Sequence, residues 1–125
     1  MYPASYTINV TTVGSAGSAA GAASTPQTIR GYLDAVRITY HASAPATTDV
    51  NLTELSGLGR TLLIVADSNT PGVYYPRAFV HNPSGVASTT NVTRYLLVDT
   101  QLQVGVAGSN ALTNAVVVTL YITGV

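Results

Sequence analysis

The stretch from Gly31 to Val50 constrains the fold more than any other. Its first half, Gly31 to His41, places Tyr32, Asp34, Val36, Ile38 and Tyr40 at every second position. Side chains on a strand alternate between faces, so this spacing predicts one long strand with those five residues on one side. Its second half, Ala42 to Thr48, is polar and holds Pro45, which predicts a turn into another strand at Val50.

The same period recurs along the chain. Tyr6, Ile8 and Val10 alternate with Thr7, Asn9 and Thr11, as in a half-buried strand. Thr61 to Asp67 is apolar at both parities, which predicts a strand covered on both faces. Val73 to His81 contains Pro76, which cannot donate to a ladder and so implies an edge or a bulge there. Arg94 to Asp99 and Leu102 to Val106 read as a strand pair around a tight connection, with Val86 to Asn91 polar and irregular. In the last strand Val116, Val118, Leu120 and Ile122 face one way, and Val117, Thr119 and Tyr121 the other. No stretch has a helical period. About eight strands separated by turn signals predict an all-β chain, an antiparallel β-sandwich that is jelly-roll-like.

The domain reading has three parts. Residues 1–13 form an N-terminal strand or arm. Residues 14–26, rich in Gly, Ala and Ser, read as a flexible linker or loop. Residues 27–125 form the β-sandwich. A chain of 125 residues holds one core of this kind. A flexible tether would let Tyr6, Ile8 and Val10 act as a subunit-exchange arm, adding a strand to a neighbour.

Composition narrows the function. Charged residues make up only 8% and the formal net charge is zero, while 46% is hydrophobic. Soluble monomers usually keep a charged surface, so part of this one is expected to be covered by partners. All five basic residues are arginines, the cation suited to paired, interfacial sites. Zero net charge without a basic run gives no electrostatic case for nucleic acid. No apolar run has the length of a membrane-spanning helix. The start of the chain has no basic region followed by an apolar one, so no signal peptide is expected. Absence of cysteine excludes disulfides and thiolate metal sites.

Catalytic patterns are missing. His41 lies near Asp49 across a turn, but a metal site needs at least a third ligand, and His81 is distant in sequence. These read as ordinary polar residues. No serine lies in a nucleophile-elbow motif. The five acids, Asp34, Asp49, Glu54, Asp67 and Asp99, fall one per element and form no obvious dyad. Asp34 shares a face with Val36 and Ile38 and needs a cation, with Arg30 or Arg37 the nearest. No glycine-rich loop opens a helix, so phosphate cradling is not expected. Neither cofactor nor metal is expected, and the chain does not read as an enzyme. The triplets Asn9–Thr11, Asn51–Thr53 and Asn91–Thr93 match the glycosylation pattern by chance in a Thr-rich chain. What stands out is Tyr74, Tyr75 and Arg77, an aromatic and cationic cluster of the kind that anchors partners. The bland alternative is one core tyrosine and one surface tyrosine. Apolar residues on both faces of several strands exceed what one small core needs and point to self-association.

The run from Tyr32 through Asp34, Tyr40 and Pro45 to Asp49 resembles a family of small β-proteins of tailed bacteriophages. Tyr74 to Arg77, the Val80–His81 pair, the Gly85 turn and the Val-rich last strand fit the same pattern. The resemblance covers most of residues 29–123. It implies a capsid decoration or cement protein: no active residue, a dimer or trimer, and the major capsid protein as partner. It also implies a virion protein on the capsid surface, assembled in the host cytoplasm. A carbohydrate- or receptor-binding module of a fibre or spike, using the same tyrosines, is the alternative.

Overall fold

The computed structural model describes residues 3–124. Ten strands and no helix are present among them: β1 (Pro3–Val10), β2 (Ala19–Ser24), β3 (Ile29–Tyr40), β4 (Asp49–Glu54), β5 (Thr61–Val65), β6 (Gly72–Tyr74), β7 (Arg77–His81), β8 (Ala87–Thr100), β9 (Leu102–Ser109) and β10 (Val116–Thr123). They form two antiparallel sheets. One runs β1-β10-β3-β8-β7, with β6 paired to the free half of β3; the other runs β2-β9-β4-β5.

The pairing is nested. β4 pairs with β5, β3 with β6 and β8, β2 with β9, and β1 with β10. The chain thus behaves as one antiparallel ribbon, folded at the β4–β5 turn and wrapped so that successive pairs alternate between sheets. Contacts of β10 with β3 and of β9 with β4 close the wrap. This is the connectivity of a jelly roll, with the β7–β8 hairpin as an insertion before β9.

The core is almost wholly aliphatic. From the six-stranded sheet come Ile8, Val10, Leu33, Val36, Ile38, Leu97, Val116, Val118, Leu120 and Ile122. Val50, Leu52, Leu62, Val65, Leu102, Val104 and Val106 face them. β10 follows the predicted alternation, with Val116, Val118, Leu120 and Ile122 all inward. In β3 the alternation fails midway. The register with β10 slips between Tyr121–Ala35 and Ile122–Leu33, leaving Asp34 as a bulged residue. Val36 and Ile38 therefore point inward with Leu33, while Tyr32 and Asp34 stand away from the buried set.

Two further expectations change. Residues 14–26 are not a linker: they hold a turn and β2, which lies flat against β9. The small residues are there for close approach, because a Cβ on Gly21 would lie 2.2 Å from the Thr11 carbonyl oxygen. And β5 is not covered on both sides. It is an edge strand, so Leu62 and Val65 are buried while Ile64 is 68% exposed.

A buried clasp joins the sheets at the β4–β5 turn. Glu54 ends β4 with a side chain only 1% exposed, and Arg60 binds it through Nε at 2.6 Å and Nη2 at 3.2 Å. The same Nη2 donates to the Leu96 carbonyl of β8 at 2.7 Å, and the guanidinium lies 5.1 Å from the Tyr95 ring centre. A bidentate, stacked arginine of this kind supplies both geometry and charge compensation.

Candidate functional site

The bulge in β3 organises the outer face of the six-stranded sheet. Asp34 accepts from Arg94 Nη1 at 2.8 Å and from the Thr123 hydroxyl. The Thr123 hydrogen bond, followed by that of Arg94, holds its carboxyl below the usual carboxylate range. Arg94 also stacks 4.4 Å from the Tyr32 ring centre. The partner of Asp34 is thus neither Arg30 nor Arg37: Arg30 pairs with Asp99 at 2.5 Å on the open surface.

Arg77 lies directly opposite Arg94 in the β7–β8 register. Two like charges at a cross-strand pair repel. Here Arg94 turns to the carboxylate, and Arg77 donates to the backbone carbonyls of Asp34 at 3.1 Å and Pro76 at 2.8 Å. Arg77 therefore fastens the start of β7 to the bulge. Buried Pro76 separates β6 from β7, the break its missing N–H predicts.

The three residues singled out as a contact cluster are divided by this arrangement. Tyr74 is half-buried and packs on the core. Arg77 is half-buried and bound to carbonyls. Only Tyr75 projects, at 66% exposure. It lines a shallow groove of about 510 Å³ together with Arg37, Val73, Pro71 and Tyr121. Arg37 is exposed and forms no ion pair or side-chain hydrogen bond among the described residues. The groove thus brings Arg37 together with two tyrosines and an exposed valine. Arg37 and Tyr121 were missed as partners of Tyr75, because residues far apart in sequence meet here through the β3–β10 pairing. The one signal was Tyr121 on the outward side of an otherwise apolar last strand.

The apolar surface continues onto the hairpin. Phe79 stands opposite Val92 in the β7–β8 register, and both are exposed, as are Leu96 and Val98 farther along β8. At its tip a second groove of about 370 Å³ contains Val80, His81 and Val86. The polar, irregular reading of Val86 to Asn91 is corrected here, since β8 begins at Ala87.

The proposed arm residues have a different place. β1 pairs in unbroken register with β10 of its own chain, from Pro3–Thr123 to Val10–Val116. Ile8 and Val10 belong to the core, and Tyr6 packs against it. His41 and Asp49 also have separate roles: the His41 Nδ1 accepts the Ser43 N–H at 3.0 Å, and Asp49 accepts the Asp67 N–H at 2.8 Å. Among the described residues no three His, Cys, Asp or Glu side chains gather as a metal site would require.

No protein-family model, no curated protein and no solved structure matches the chain.

Proposed function

We propose that this chain is a structural virion protein that decorates and stabilises a phage capsid by binding its outer shell as an oligomer. The observation that carries the reading is the outer face of the six-stranded sheet, where Tyr75, Tyr121, Val73 and Arg37, unpaired among the described residues, stand exposed. Tyrosine and arginine dominate the energetics of protein interfaces. The resemblance in Tyr32–Asp49 and Tyr74–Arg77 supplies the partner: the major capsid protein. Jelly rolls recur in viral capsid proteins, which agrees with this reading at the level of fold.

The mechanism is mass action. A protein that binds the assembled shell and not its dissociated subunits shifts the equilibrium toward the shell. Several weak contacts presented by one oligomer add avidity without a single tight site. The test is addition of the purified protein to undecorated phage heads. Saturable binding with a rise in the temperature of head rupture is the expected result. Heads that neither retain the protein nor gain stability would overturn the proposal.

A carbohydrate- or receptor-binding role is favoured by one feature, the two tyrosines that line an open groove with Arg37. Such rings stack on sugar faces. A glycan screen separates the readings, since a cement protein gives no sugar-dependent signal.

A further inference from the structure

The two sheets have five edge strands among the described residues, and four of them are blunted; β6 has only three residues and runs into Pro76. β5 has five residues, a register slip against β4, and the charged neighbours Arg60 and Asp67. β7 has five residues, a slip against β8, and Arg77, His81 and Pro76 in or beside it. β2 has a slip against β9 and a central Gly21. Short length, bulges, charges and proline are the devices that keep sheet edges from pairing with other chains.

β1 has none of these beyond Pro3 at its start. It runs eight residues, carries no charge, and keeps register with β10 at every position. Among the described residues nothing bonds to its other edge. Its exposed positions Ser5, Thr7 and Asn9 are small and neutral, so nothing repels an approaching strand.

We propose that a second copy of this chain pairs with β1 through its own β1, antiparallel about a two-fold axis near the middle of the strand. The occupant follows from self-complementarity. An antiparallel strand pair is isologous, and an uncharged edge matches itself as well as any partner. Two strands of this length share up to about eight backbone hydrogen bonds. The two-fold stands perpendicular to the sheet, so both Tyr75–Arg37 grooves face the same side. This inference names the self-contact in the decoration reading and rests on it only for the benefit of presenting two grooves together. It also differs from arm exchange, because each β1 stays on its own β10.

The test has two variants read by light scattering over a concentration series. The unmodified chain is expected to dimerise. In Thr7→Lys/Asn9→Lys, like charges oppose each other across the axis, and the dimer dissociation constant is expected to rise about tenfold or more. Since the chain has no cysteine, Thr7→Cys gives a single thiol, and oxidation is expected to yield a covalent dimer. A monomer at all concentrations, or a dimer indifferent to the lysines that the thiol fails to link, overturns the proposal. Head binding is measured separately. A β1-linked dimer that ignores heads would sink the decoration reading alone, and a monomer that binds heads would sink this one alone.

Discussion

The same sandwich presents two unlike outer faces. Across the four-stranded sheet one cross-strand row reads Ala22, Gly105, Asn51 and Ile64. Across the six-stranded sheet the corresponding row reads Thr7, Thr119, Arg37 and Val73, with Tyr121 one step along and Tyr75 beyond. The first face is made mostly of small side chains, with Ile64 exposed at its β5 edge; a Cβ on Gly105 would lie 2.6 Å from the Asn51 amide oxygen. The second holds large exposed side chains, among them Arg37, Val73, Tyr75 and Tyr121 around one groove. The small residues serve close packing, whereas the Arg37 guanidinium and the Tyr75 and Tyr121 rings have no polar partner among the described residues. The difference separates residues needed for folding from residues available for a partner.

Substitutions can break that separation. The largest effect is expected at Gly21→Ala, because the added methyl meets the Thr11 backbone and neither strand can yield. Overpacking of this kind costs about 1–3 kcal/mol. Urea unfolding should place it at the upper end, and an unchanged midpoint would show that the Thr11 backbone yields to the added methyl.

Next comes Tyr75→Ala combined with Arg37→Ala. Both side chains are exposed, so unfolding stability should stay within about 0.5 kcal/mol. Head binding should fall about tenfold or more, measured by co-sedimentation. Loss of stability instead would assign these residues to the fold.

Asp34 sharpens the comparison on the pH axis. Its native carboxyl titrates below the unfolded value of about 3.9. Its contribution is therefore fully present above that value and is lost as pH falls through the native one. Asp34→Asn should reduce the loss of stability between about pH 5 and pH 2. An identical acid profile would mean that the Arg94 and Thr123 contacts carry no linkage.

The smallest effect is expected at Ile64→Ser, on the opposite face. At 68% exposure it should change stability by less than about 0.5 kcal/mol and leave head binding intact. Impaired binding there would exchange the roles of the two faces.

Much of the fold was legible because period two survives wherever one face is buried. β10 and the inner halves of β1 and β3 are read correctly from that rule alone. It fails where its premise fails. β2 lacks large residues, so Ala19 to Ser24 resembles a tether. The outer part of β8 is exposed on both faces, so Ala87 to Val92 shows no alternation. The Asp34 bulge shifts β3 by one residue and moves Tyr32 off the face of Ile38. The groove was only half legible: Tyr75 stands out by type, but Arg37 and Tyr121 join it through long-range pairing, which a linear pattern does not encode.

The nested pairing also sets an order of events during synthesis. β1 is made well before β10, yet among the described residues β10 is its one strand partner. At 5–20 residues per second, Ile8 and Val10 leave the ribosome roughly 5–20 s before Val116 and Val118 exist to cover them. A neutral, apolar strand waits unpaired through that interval, while the β4–β5 turn is already available to nucleate the ribbon. Closure of the wrap is thus a late, non-local step of the slow kind. Synthesis of β10, more than any local propensity, times the closing of the sandwich.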